Sequence, residues 1–344
     1  MRSLPKSKVA AVQASPVFLD TTATIDKACR LVREAAARGA ALVVFPEVFV
    51  SAYPYWSWLG SPVAGSPWFQ RLCESAVEAT GPEMARIADV ARECGVYVAI
   101  GINELAARSV ATVYNTLLFY GSDGRLLGRH RKLVPTWAEK LTWAPGDGAG
   151  LQVHDTTIGP VGMLACGENT NTLARFSLLA QGELIHLASY ISLPVAPPDY
   201  DMAEAIKVRA MAHSFEGKVY TVVACSTIAP ETVAQLEDAF PGAAALLSRR
   251  NSAFSGVIGP DGRVAGTPLI DEEGIVYADI DLARCIQPRQ MHDITGHYNR
   301  FDVFDLRVNR RGLRPATFDD SARGEEAAST MSTAADSAHT ESAA

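Results

Sequence analysis

Three polar residues of this chain stand at the ends of apolar runs: Glu47, Lys132 and Cys166. Cys166 closes the run Val161-Gly162-Met163-Leu164-Ala165 and is followed by Gly167-Glu168-Asn169. That pattern predicts a buried strand, a sharp turn and a helix over 171–181 with Asn171 as its N-cap. At such a junction, backbone N–H groups and the positive helix end favour a thiolate. On this stretch alone, a cysteine beside Met, Leu and Ala is more often an inert core residue. Glu47 follows Phe45-Pro46, and Lys132 lies between Arg129-His130-Arg131 and Leu133-Val134-Pro135. Each charge by itself reads as a solvated loop residue. Together, on converging strands, they are a nucleophile set. Glu47 takes the thiol proton as general base, and Lys132 favours the thiolate and stabilises negative charge developing on a substrate. Glu139, seven residues after Lys132, is placed to hold the lysine or the substrate. No histidine is adjacent in sequence to any of the three.

The elements that must position these residues alternate. A strand over 8–14, a helix over 21–38 with Ile25, Ala28, Leu31, Val32 and Ala35 on one face, and a strand over 41–45 open the chain as a β-α-β unit. Residues 49–69 are a loop by their Pro and Gly punctuation but aromatic by content, packing a surface or subunit interface, forming a pocket wall or lid, or both. A helix over 82–94 starts at Pro82, a good first-turn residue, and strands follow over 96–101, 112–120 and 126–131. Residues 132–150 read as irregular. Strands over 151–154 and 161–165 form a hairpin, as do 112–131 around Ser122-Asp123-Gly124 and 255 onward around Pro260-Asp261-Gly262. After Cys166 come the helix over 171–181, a strand over 184–189, a helix over 199–216 and a strand over 219–224. An insertion over 229–250 and a last strand over 275–280 complete the pattern. Hairpins interrupting α/β alternation predict an α/β fold of two mixed sheets face to face, a four-layer α-β-β-α sandwich.

Composition bounds the rest. The 344 residues are 48% hydrophobic, enough for a large single core, and the net charge of -7 argues against nucleic acid as a partner. No apolar run is long enough to span a bilayer, and no signal peptide is evident. Six scattered cysteines without paired spacing suggest reduced thiols in the cytoplasm, with neither a metal knuckle nor a redox pair. Residues 321–344 are rich in Ala, Ser, Thr and Glu and predict a disordered tail after a domain over 1–320.

Taken together, the motifs resemble the nitrilase superfamily of carbon–nitrogen hydrolases. Phe45-Pro46-Glu47 is similar to the family's glutamate motif, the run from His130 to Glu139 to its lysine motif, and Cys166-Gly167-Glu168-Asn169 to its cysteine motif, in the same order and spacing. The resemblance spans roughly residues 6–310. The segment Asp293 to Val303 and the aromatic run Ala52-Tyr53-Pro54-Tyr55-Trp56 resemble the true nitrilase branch. The resemblance implies hydrolysis of a nitrile to the acid and ammonia through thioimidate and thioacyl-enzyme intermediates, with no metal or other cofactor. Catalytic Glu47, Lys132, Cys166 and Glu139 follow from it, as do dimers and larger spirals. An amidase, a nitrile-hydrating enzyme and a non-catalytic filament-forming homologue are the alternatives. Tyr53, Trp137 and Tyr190 follow the strand ends nearest these residues and are candidate pocket walls.

Two positions depart from the family pattern. Gly167 stands where nitrilases usually carry Trp, and Phe301 stands where their C-terminal motif usually has Pro. The missing side chain at 167 leaves an open volume at the substrate's α-carbon, or else the turn requires a glycine with positive φ.

Overall fold

The computed structural model describes residues 4–314 and residue 316. The expected tail over 321–344 lies outside the described residues. The opening unit is β1 (Lys6–Gln13), α1 (Thr21–Ala37) and β2 (Leu42–Val44). Asp20 starts α1 by accepting from the backbone N–H of Ala23. Its apolar face is Ile25, Ala28, Cys29, Val32 and Ala35. The stretch expected to be a loop over 49–69 is instead largely helical: α2 (Trp56–Leu59) and α3 (Pro62–Ser75), the latter capped by Ser61 with Pro62 in its first turn. Pro, Gly and Ser mark helix starts here, not irregular chain. Next come α4 (Pro82–Cys94), β3 (Tyr97–Leu105), β4 (Val113–Tyr120) and β5 (Leu126–Arg131). Gly95 ends α4 in the left-handed conformation, with φ of 64°.

The second half begins with β6 (Val161–Ala165), a 3-10 turn over Cys166–Thr170, and α5 (Thr172–Leu179) capped by Asn171. The hairpin expected over 151–165 reduces to a single bridge between His154 and Val161, because β6 pairs in parallel with β7 (Ile185–Tyr190) instead. Then follow α6 (Met202–Gly217) and β8 (Tyr220–Cys225). The insertion over 229–250 folds as α7 (Pro230–Ala239) and α8 (Ala243–Leu247). Strands β9 (Phe254–Ile258), β10 (Val264–Ile270) and β11 (Gly274–Asp281) complete the sheets.

A six-stranded sheet runs β11-β1-β2-β3-β4-β5, and a five-stranded sheet runs β10-β9-β8-β7-β6. Both mix parallel and antiparallel pairs. Alternation along the strands builds the layers. In β1, Val9 and Ala11 join Leu187, Val222 and Val257 of the other sheet in the central core, while Ala10 and Val12 face α1 and α4. In β7 and β8, Ala188 and Val223 face Met202, Ile206 and Ala210 of α6. The architecture is the expected α-β-β-α sandwich.

The aromatic stretch and the insertion bury each other. Tyr53, Tyr55, Trp56 and Leu72 share one cluster with Leu236, Phe240 and Leu247, and the rings of Trp68 and Phe240 lie 6.4 Å apart. Apolar content read from sequence does not reveal which two surface segments cover one another.

Candidate active site

Glu47, Lys132 and Glu139 converge at one end of the six-stranded sheet. Glu47 follows β2, and the chain there crosses β3 so closely that a Cβ on Gly101 would stand 2.3 Å from the backbone N of Val48 and 2.5 Å from the carbonyl of Pro46. Only glycine permits that approach. Lys132 follows β5. Its Nζ donates to Glu47 Oε1 at 2.8 Å and to Glu139 Oε2 at 2.7 Å. Glu139 lies on the 3-10 turn Trp137–Leu141, and its Oε2 also accepts from the backbone N–H of Thr136 at 2.7 Å. All three are at least 98% buried.

The surroundings tune these charges. Burial pushes the Glu47 carboxyl above its ordinary value, Lys132 and the Asn115 amide oppose the rise, and Glu139 adds to it. Asn115 Nδ2 donates to Glu47 Oε1 at 2.6 Å, whereas Oε2 is buried with no protein partner among the described residues. That oxygen is the one free to take a proton. Burial by itself lowers Lys132, but the two carboxylates outweigh it and hold the ammonium well above its ordinary range. Cys166 behaves differently from the sequence expectation. Burial and the charge of Glu47 push its thiol well above 9.0, and Lys132 offsets only part of that. These surroundings favour the thiol of Cys166 over the thiolate. The helix that was expected to stabilise the anion starts only at Thr172, with the 3-10 turn in between. An attack by this sulfur would need a base to take its proton, and the unpartnered Oε2 of Glu47 is the candidate.

The turn at Cys166 carries backbone strain. Its φ is +47°, a left-handed conformation that a non-glycine residue adopts at a cost of about 1–3 kcal/mol. This corrects one reading of Gly167: the left-handed residue is the cysteine, and Gly167 does not need glycine's freedom. A Cβ on Gly167 meets only Thr136 Oγ1, at 3.3 Å.

The candidate pocket residues separate. Tyr53 is buried and donates to Glu139 Oε1 at 3.0 Å, while Trp58 Nε1 donates to the Tyr53 hydroxyl at 2.9 Å. Tyr190 packs in the cluster that contains Cys166, and its buried hydroxyl has no partner among the described residues. Trp137 lies at the rim instead, 70% exposed, with its ring 6.0 Å from that of Trp58. Asn115, Asn103 and Gly101 carry no local signal that marks them in the sequence. Trp143 lies in the stretch 132–150 that read only as irregular. Trp143 lies 5.8 Å from Lys132 Nζ at its ring centroid and donates to Asn103 Oδ1 at 2.8 Å. Asn103 in turn donates to the carbonyl of Ala52 at 2.8 Å, tying β3 to the chain just after Glu47.

Glu168 joins the two halves of the site. Its carboxylate accepts from the backbone N–H of Leu133 at 2.6 Å, from that of Ala165 at 2.8 Å, and pairs with His130 Nε2 at 2.9 Å. The segment after Lys132 and the strand before Cys166 are thereby fixed to one carboxylate. Beside Glu47 the structure leaves a cavity of about 10 Å³, bordered by Phe18, Tyr53, Tyr55 and Ile191. That is roughly the room of one water molecule. A groove of about 450 Å³ between Phe176 and residues 299–310 holds none of these catalytic candidates.

A four-layer sandwich with a cysteine, a lysine and two carboxylates at one strand-end cluster defines a class of hydrolase. The match to known proteins agrees. The family model for carbon–nitrogen hydrolases covers residues 8–290, and the chain belongs to that family, in its nitrilase branch. It is 37% identical over 312 residues to an aliphatic nitrilase of Rhodococcus rhodochrous, covering 90% of this chain and 84% of that one. It is 34% identical over 329 residues to a bifunctional nitrilase/nitrile hydratase of Lupinus angustifolius, covering 91% and 89%. Among solved structures, the NitFhit protein of C. elegans superposes with a TM-score of 0.69 at 18% identity, covering 91% of this chain and 69% of that one, a likeness of fold.

Proposed function

We propose that this protein is a nitrilase, converting a nitrile and two waters into a carboxylic acid and ammonia, with Cys166 as nucleophile. The observation that carries the proposal is the buried Lys132 ammonium held between Glu47 and Glu139, with their charges acting on the Cys166 thiol. The sulfur of Cys166 adds to the nitrile carbon while the thiol proton passes through Glu47 to the nitrogen, giving a thioimidate. Water adds to that carbon, ammonia leaves, and a thioacyl-enzyme remains. Glu47 takes a proton from a second water, which attacks the thioester and releases the acid and the thiol. Lys132 stabilises the negative charge of each tetrahedral stage, and Glu139 keeps the ammonium in place with Tyr53. Tyr190, Tyr53 and the open side of Gly167 border the acyl portion of the substrate.

A second outcome of the same chemistry has a specific observation behind it. The lupin relative is described as both nitrilase and nitrile hydratase. If the first tetrahedral stage expels sulfur instead of ammonia, the amide is released. Assaying acid, amide and ammonia from aliphatic, aryl and arylaceto nitriles, and from the corresponding amides, tests the proposal. Acid and ammonia in equal amounts from a nitrile support it. Turnover of amides alone makes the protein an amidase, and no turnover together with an unreactive Cys166 makes it a silent homologue.

Self-association is part of the proposal. Val208 and Phe215 on α6, and Phe301, Val303 and Phe304 near the end of the described chain, are each more than half exposed, a surface that a second copy would cover. All six cysteines are free, in keeping with a reducing compartment such as the cytoplasm. No described helix is long and apolar enough to cross a membrane.

A further inference from the structure

Behind the Cys166 turn lies a buried polar group that the reaction does not use. Glu183 precedes β7, His186 is on β7 and His213 is on α6; all three are at least 99% buried. Asn169 connects them to the nucleophile. Its Nδ2 donates to the carbonyl of Cys166 at 3.0 Å and to that of Leu164 at 3.4 Å. Its Oδ1 is therefore the acceptor that faces His186 Nε2 at 2.8 Å. The other ring nitrogen, His186 Nδ1, lies 2.7 Å from Glu183 Oε1. With an acceptor on each side, both ring nitrogens of His186 are placed as donors.

The remaining atoms fit the same accounting. Glu183 Oε2 accepts from His213 Nε2 at 2.9 Å. Burial opposes the charge on Glu183, but His186 and the two hydrogen bonds hold its carboxyl down at about 2. Burial and the neighbouring charge of His186 push His213 down to about 4, leaving it neutral with Nδ1 bare. That nitrogen is the one without a partner among the described residues. Gly162, opposite His186 across β6 and β7, makes the room: a Cβ there would stand 2.1 Å from Glu183 Oε1.

We propose that Glu183, His186 and Asn169 form a brace that holds the Cys166 turn in its left-handed conformation, making His186 a positioning residue for the nucleophile. It rests on Cys166 being the nucleophile. The brace gathers the carbonyl of Cys166 itself and that of Leu164 onto one amide, and the His186 ring, held by Glu183, fixes which way that amide points. The set of one carboxylate and two histidines also has the composition of a zinc site. The contacts favour protons over a metal. Two ligands on one zinc with bonds near ~2 Å stand about 3.3 Å apart in tetrahedral geometry, whereas these pairs are 2.7 and 2.9 Å apart and aligned as hydrogen bonds.

The test uses the full-length enzyme with His186→Leu, His186→Gln and Asn169→Asp, each checked for folding by circular dichroism. A misplaced nucleophile lowers kcat by roughly 100-fold in His186→Leu, with KM nearly unchanged because substrate binding is not touched. His186→Gln recovers at least part of that loss, since its amide N–H can still donate to Asn169. Asn169→Asp loses kcat as well, because an acceptor replaces the two donors. A folded His186→Leu with the kcat of the parent enzyme overturns the brace, as does an equal loss in Leu and Gln. If His186→Leu does not fold, a parent-like kcat in Asn169→Asp overturns it instead. One zinc per chain in the purified enzyme, stripped by chelator with loss of activity, also overturns it. Cys166→Ala is the control: residual turnover there defeats the site assignment, independently of the brace.

Discussion

Replacing Gly162 by alanine should cost several kcal/mol, although it adds one methyl group to a strand. The Cβ would stand 2.1 Å from Glu183 Oε1 and 2.9 Å from its carboxyl carbon. A comfortable heavy-atom contact is about 3.5 Å, so the carboxylate must retreat by more than ~1 Å. Its bonds to His186 and His213 are 2.7 and 2.9 Å long, and a shift of that size takes at least one of them beyond hydrogen-bond range. Breaking a buried ion pair of this kind typically costs about 3–5 kcal/mol, a large part of a total stability of roughly 5–15 kcal/mol. The comparison is Gly167→Ala, five residues on. There the added carbon meets only Thr136 Oγ1 at 3.3 Å, and the expected change is within about 0.5 kcal/mol. Urea unfolding of both variants beside the parent enzyme measures the difference. A Gly162→Ala protein within ~1 kcal/mol of the parent, or a Gly167→Ala protein as damaged as Gly162→Ala, refutes the packing described here.

Other outcomes follow from the same geometry. Cys166→Ala should abolish turnover and Cys225→Ala should not; denaturing quench during turnover should place the covalent adduct on the peptide containing Cys166, and an adduct elsewhere contradicts the mechanism. Because burial raises the Glu47 carboxyl, the acid limb of kcat/KM should lie above the ordinary carboxylate range. Asn115→Leu removes a hydrogen bond that lowers Glu47, so the limb should move to still higher pH, and an unmoved limb would detach it from Glu47. His213 is held neutral down to about 4, so the unfolded chain binds its proton first as pH falls. Stability should therefore decline from near pH 6.5 towards 4, and His213→Gln should flatten that part of a stability–pH curve. Gly167→Trp should lower kcat/KM for an α-branched aryl nitrile while sparing a linear aliphatic one; equal losses would mean that the space beside Gly167 does not receive the α-substituent.

The sequence by itself determined the layer plan and the candidate chemistry. Strand cores such as Val161 to Ala165 and Leu42 to Val44 are apolar throughout, helix caps such as Asp20 and Asn171 sit where a helix needs an acceptor, and each reads locally. Glu47, Lys132 and Cys166 were legible because a polar residue ending an apolar run is a local signal too. What the tertiary structure decided depends on residues far apart in the chain. Asn115 finds Glu47 across 68 residues, and His213 reaches Glu183 from α6, beyond β7 in the chain. The aromatic stretch after Glu47 read as open loop because its partner helices lie in the insertion over 229–250. Composition of one segment carries no record of which other segment covers it. The thiol state of Cys166 was likewise beyond the sequence, since motif order suggests a helix end and a lysine nearby, while burial and the charge of Glu47 outweigh both. Strain followed the same rule: glycine beside Cys166 invites a positive φ, but the turn places it on the cysteine.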